Sequence, residues 1–305
     1  MEQSARTRLT SLLYAVLLMA GTAMLVLGGL WVYNSYVRSD TQRATVVGVQ
    51  DGDTVIVDID GKDTAVDLIN VNAPDIATGD QPQQCLANES AQYLAKRLPS
   101  GTEVDLVFDH ERKNSAGHLQ ALVQVDDVSI NQDIAKEGLA TAAGVKENKR
   151  FYQKVLDGQN SAMKNKRGLF DPTVPCSLEA QAAEQKKQID AVQQPGPGVD
   201  VPTALEDAAA KRKSAAAFTE QLSGQGLQDL GLHALSSTST HDYVKAQRDA
   251  LKSSLRSADV KIDRLKEAKE TEEKRRAADK ENEKRRSEWE KADQASDGGG
   301  ADDQP

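Results

Sequence analysis

Aromatic residues are scarce: Phe, Trp and Tyr make up 4% of 305 residues, and hydrophobic residues 38% against 28% charged. So thin an apolar fraction excludes one large core and implies a modest domain diluted by solvated sequence. Cys85 and Cys176 are the two cysteines. They exclude a disulfide-rich scaffold and a four-cysteine zinc site, and leave one bridge or two free thiols. Cations are also short, with 38 Lys and Arg facing 47 Asp and Glu for a net charge of −9. Nucleic acid is therefore not an expected partner, because a polyanion needs clustered Lys and Arg.

One long apolar run is present. No charged residue lies between Leu9 and Val37, and residues 12–33 are apolar almost throughout. At 1.5 Å per residue that run matches the ~30 Å hydrocarbon layer. Trp31, Tyr33 and Tyr36 stand where an aromatic belt meets the headgroups. A cleaved signal peptide would carry small residues at that place instead. The expectation is a single transmembrane helix over 12–33, with residues 1–11 cytoplasmic and the remainder outside, in a bacterial cell envelope.

Behind a polar stalk at 34–43, residues 44–176 read as a folded α+β domain. Three strands, 45–49, 54–59 and 64–71, are joined by the turns Asp51-Gly52-Asp53 and Asp60-Gly61. A helix over 88–98 stops at Pro99-Ser100-Gly101. Strands at 103–109 and 119–125 and helices at 131–137 and 149–166 complete a pattern that suggests a small Greek-key barrel. Residues 177–202, rich in Gln, Ala and Glu and closed by Pro-Gly-Pro-Gly, read as a linker. Thr203 and Glu206 fit a capping box opening a helix over 203–223. A second linker is expected at 224–240, a long charged helix at 241–291 and a disordered tail at 292–305.

Several motifs in that domain carry a resemblance. Asp51-Gly52-Asp53-Thr54, Val71-Asn72-Ala73-Pro74-Asp75, Ser129-Ile130-Asn131, Gly138-Leu139-Ala140 and Gly168-Leu169-Phe170 occur in the order and spacing of the staphylococcal nuclease (thermonuclease) family. The segment Thr45–Phe170 is therefore similar to an OB-fold barrel with helices. The resemblance implies Ca²⁺-dependent phosphodiester hydrolysis by two metal-binding aspartates, a glutamate base and two phosphate-binding arginines. It also implies an extracytoplasmic disulfide between Cys85 and Cys176, since secreted relatives carry cysteines at similar places. Two buried thiols are the alternative.

Matched residue by residue, the machinery is depleted. Asp53 retains the first metal position, Asn72 replaces the second metal aspartate, and Asp75 replaces the base. Asp67 and His118 stand where the family has its arginines. A carboxylate in place of a guanidinium repels phosphate instead of gripping it, and loss of one positioned donor commonly costs about 10²–10³ in rate. Arg112 and Lys113 are the cations left nearby. Residues 46–176 hold 20 acids against 13 Lys and Arg. The expectation is a degenerate nuclease domain acting as an interaction or scaffold module, with no cofactor beyond weak Ca²⁺ at Asp53 and Asn72. The competing expectation is a Ca²⁺-dependent nuclease with Asp75 as base.

In the distal helix, Val244, Leu251, Ala258 and Leu265 at d, with Leu255 and Ile262 at a, make barely three heptads. A solvated lone helix competes there with a weak homodimer, or a seam for an unidentified protein partner, through 244–265. From 266 to 291, 19 of 26 residues are charged, with alternating signs.

Overall fold

The computed structural model describes residues 17–29, 40–77 and 83–297. It divides into two compact units, one running to Ser177 with Leu230–His241 added, the other comprising Leu178–Asp229 and the chain from Asp242.

Among its described residues the first unit holds eight strands: β1 (Thr41–Val49), β2 (Thr54–Ile59), β3 (Lys62–Leu68), β4 (Val71–Asn72), β5 (Glu103–Val107), β6 (Leu119–Val125), β7 (Val128–Ser129) and β8 (Thr141–Ala142). Residues 17–29 form α1; α2 (Ala87–Arg97), α3 (Ile130–Lys136) and α4 (Tyr152–Asn165) follow. The sheet runs β3-β2-β1-β5-β6-β7, and a parallel pairing of β3 with β6 closes five of its strands into a barrel. Asp60 and Gly61, both at positive φ (54° and 83°), form the tight β2–β3 turn. Val46, Val55, Val57, Val66, Leu68, Leu106 and Val123 fill the barrel, and Leu94 of α2 and Ile130 and Ile134 of α3 close it.

Two motifs acquire physical reasons. Asn131 is fully buried: its Oδ1 accepts from Val123 N–H at 2.9 Å, and its Nδ2 donates to the carbonyls of Ile69 (2.9 Å) and Ala121 (3.2 Å). It therefore supplies the hydrogen bonds that the barrel backbone lacks where strands part. Gly138 and Gly168 press together, both at positive φ. A Cβ on Gly138 would lie 2.1 Å from the Arg167 carbonyl oxygen, and one on Gly168 2.3 Å from that of Gly138.

In the second unit α5 (Leu178–Asp190), α6 (Val201–Gln221), α7 (Gln225–Asp229) and α8 (His241–Asp297) are helical. Where a linker was expected at 177–202, α5 buries Leu178, Ala182 and Ile189. Its Gln, Ala, Glu and Lys are good helix formers, and three buried positions suffice to seat it. Thr203 does not cap α6. Asp200 occupies the N-cap, Pro202 lies in the first turn, and Thr203 Oγ1 donates to the Asp200 carboxylate.

Part of the apolar seam at 244–265 packs within the chain. Ile262 and Leu265 pack with Val192, Val201, Ala204 and Ala208, and Ala258 packs with Ile189 and Ala215. Arg212 on α6 grips Asp259 on α8 at 2.6 and 3.3 Å. Beyond Glu272 the described residues of α8 are exposed. Glu272 and Arg276 pair at 2.6 Å, one turn apart, and Arg285 donates to Asn282.

Among the described residues no helix is long and apolar enough to cross a membrane. The span expected at 12–33 lies partly outside the described residues, as does most of the tail. Within α1, the side chains of Leu18, Met24 and Leu25 are exposed.

Candidate functional site

The turn between β1 and β2 is organised by Asp51. Its Oδ1 accepts from the backbone N–H of Asp53 (3.1 Å) and Thr54 (2.8 Å), an arrangement that Asp side chains favour. Gly52 is obligatory here, because a Cβ would meet Ser90 Oγ at 2.3 Å and the Ala73 methyl at 2.7 Å. The close approach sends Asp53 inward, where its Oδ2 accepts from Ala73 N–H at 2.8 Å. Burial holds the Asp53 carboxyl well above the usual range. The Ala73 hydrogen bond opposes that shift, and the charges of Asp51 and Asp67 add to it.

Asp67 sits opposite Thr54 on β2 and, through the barrel-closing pairing, opposite Gln120 on β6. That register brings His118, just before β6, to Asp67: Nδ1 lies 2.9 Å from Oδ1. A carboxylate only accepts, so the proton is on Nδ1. Asn114 Nδ2 donates to the other carboxylate oxygen at 2.5 Å, and Thr54 Oγ1 donates to Oδ1 at 3.3 Å. Asn114 Oδ1 in turn accepts from Ala116 and His118 N–H, which folds the 114–118 loop. The two positions matched to arginines thus satisfy each other.

The remaining predicted residues have other partners. Asn72, on β4, donates through Nδ2 to the Ala234 carbonyl at 3.3 Å. Asp75 is exposed, and its Oδ2 accepts from Gln84 Nε2 at 2.6 Å. Cys85 and Cys176 are bonded to each other. Arg112 stacks over Phe108 at 4.7 Å and lines a separate cavity with Asp40, Asp109, His110 and Arg150. Sequence reasoning missed Thr54, Asn114 and Ala234. The Asn-x-x-Gly turn at 114–117 was a usable signal for Asn114; Thr54 stood in the Asp51-Gly52-Asp53-Thr54 motif without a role of its own, and nothing local marked Ala234.

Residues 65–171 match the family model described as staphylococcal nuclease homologue. A thermonuclease from Staphylococcus hyicus is 30% identical over 133 residues, covering 44% of this chain and 78% of the relative. The thermonuclease of Staphylococcus intermedius is 32% identical over 123 residues, 40% of this chain and 73% of the relative. The chain belongs to the staphylococcal nuclease family. Endonuclease YncB of Bacillus subtilis (strain 168) is 34% identical over 105 residues, 33% of this chain and 48% of that protein.

Nucleases of this family typically use Ca²⁺, which takes six to eight oxygen ligands and relies on carboxylates for affinity. The donors here do not fit that demand. Asn72 brings no charge and has its amide nitrogen committed to Ala234, and Asp67 is held by His118. Among the described residues no group of three or more His, Cys, Asp or Glu is arranged to hold a metal ion. No chemical step is therefore derived through calcium.

Proposed function

We propose that this nuclease-family domain is catalytically inactive and serves as an interaction module tethered to the outer face of a bacterial membrane. The observation that carries the proposal is the Asp67–His118 pair. Phosphodiester cleavage needs cations on the phosphate, and here those positions hold a carboxylate and an imidazole bonded to each other. The acidic surplus of the domain, 20 acids to 13 Lys and Arg over residues 46–176, adds long-range repulsion of a polyanion. The uncharged run at 9–37 and the exposed apolar side chains of α1 support the tether. The Cys85–Cys176 bond supports an oxidising compartment. The module's occupant is proposed to be a protein rather than nucleic acid.

The assay is incubation of purified protein lacking residues 1–38 with single-stranded DNA and RNA in the presence of Ca²⁺. No cleavage is expected. Restoring the family groups together (Asp67→Arg, Asn72→Asp, Asp75→Glu, His118→Arg) is expected to recover measurable hydrolysis. Orientation is tested by protease access on intact cells, where the chain beyond Tyr36 should be cut.

A second reading, a calcium-dependent nuclease using Asp53, Asn72 and Asp75, draws support from the thermonuclease and endonuclease names of the relatives and from the retained Asp51-Gly52-Asp53-Thr54 turn. Wild-type turnover abolished by Asp53→Ala would replace the first reading with this one.

A further inference from the structure

Residues Leu230–His241, flanked in sequence by the two halves of the helical unit, belong to the barrel unit and lie along the β4–β8 ribbon. Their seating is polar and specific. The Ala234 carbonyl accepts two side-chain donors, Thr141 Oγ1 at 2.6 Å and Asn72 Nδ2 at 3.3 Å. Ser239 Oγ donates to the Ala142 carbonyl at 2.6 Å, and the buried Gln159 donates through Nε2 to the Ser239 carbonyl at 3.2 Å. Cys85 N–H donates to the Gly231 carbonyl at 2.9 Å. Leu232, Ala234 and Leu235 are each buried to 1% exposure.

Residue 72 is the hinge of the physical case. A carboxylate there, the family's choice, would set an ionised acceptor against the Ala234 carbonyl, which has no proton to offer. An amide has nearly the same shape and turns that repulsion into a hydrogen bond. The loss of the metal-binding charge and the presence of the segment are therefore complementary features of one surface.

We infer that residues 230–241 are a strap acting in cis, docked through the amide of Asn72, which covers the edge of the barrel where the family cleft carries its second metal carboxylate. The inference rests on matching Asn72 to that carboxylate. The strap continues at one end into α7 and at the other into α8. A partner that rearranges the helical unit would therefore pull on it through the covalent chain.

Hydrogen exchange on the detergent-solubilised full chain tests this without any need for activity. The Cys85, Leu235 and Thr240 amides report on the strap, and those of Leu68 and Ile69, bonded to the Asp53 and Ala121 carbonyls, report on the barrel. Asn72→Asp is expected to speed strap exchange about tenfold or more with the barrel amides unchanged. Asn72→Ala, which removes the bond without the repulsion, should have a smaller effect, and Thr141→Val should resemble it. Strap exchange in Asn72→Asp equal to wild type, or a rise shared equally by the barrel amides, overturns the inference. Detection of nuclease activity would sink the inactive reading and leave the strap intact, so the two claims fail separately.

Discussion

His118 and Asp67 face each other across the closure of the barrel, with Nδ1 of one 2.9 Å from Oδ1 of the other. The pair is a consequence of topology. The parallel β3–β6 register sets Asp67 beside Gln120, so a side chain just ahead of β6 meets it. Asn114 and Thr54 complete the shell of donors around the carboxylate, as a partly buried charge requires.

That shell makes Asp67 a stability residue. Asp67→Ala should cost about 1–3 kcal/mol in urea unfolding, since three donors lose their acceptor. His118→Arg should cost less than about 1 kcal/mol, because a guanidinium also bonds the carboxylate.

Asp53 carries the opposite sign. Its carboxyl is raised in the folded protein, so the native state binds a proton more tightly than the unfolded chain does. The resulting penalty is absent below the unfolded value of about 3.9 and accumulates as pH rises through the folded one. Asp53→Asn in EDTA should therefore raise the melting temperature at pH 7.5, by roughly 2–4 °C for each kcal/mol relieved. The gain should fade as pH drops toward 3.5. Calorimetry across that range is the check.

The Cys85–Cys176 bond spans 91 positions in sequence. A loop of that length stabilises by about 3–5 kcal/mol through restriction of the unfolded chain. Reduction with dithiothreitol should lower the denaturant midpoint accordingly, and a double Cys→Ser protein should match the reduced form.

Gly138→Ala should be among the most destabilising small substitutions, at about 2 kcal/mol or more. Its Cβ meets backbone rather than a movable side chain, and its φ of 71° disfavours alanine. Gly61→Ala, with nothing within 4 Å, carries only the φ penalty, and thermal melts of the two should separate these terms.

Strand positions were legible wherever alternation and Asp-Gly turns coincide, as at Val55, Val57 and Gly61. Asp53, Asn72, Asp75, Asp67 and His118 were reached in the sequence only as matches to family motifs. The partnership of Asp67 with His118 was not, because a parallel contact between strands 50 residues apart leaves no trace in local periodicity. The strap was invisible for a different reason. Its Ser, Thr, Gly and Ala side chains have the composition of a linker, and only the hydrogen bonds with Thr141, Ala142 and Gln159 give them a place. At α5 a solvated surface composition concealed a narrow buried seam.

The barrel unit is interrupted in sequence, and this sets an order of events during synthesis. When Ser177 emerges, every strand and the disulfide partners are available, but Leu230–His241 is still more than fifty residues away. At 5–20 residues per second that interval is about 3–10 s. Through it, the β4–β8 ribbon and the hydroxyl of Thr141 stand without their cover. The helices α5, α6 and α7 are made inside that window, while α8, against which α5 and α6 pack, comes after it. A chain ended at any point between 178 and 229 would hold the nascent intermediate permanently, with the ribbon bare.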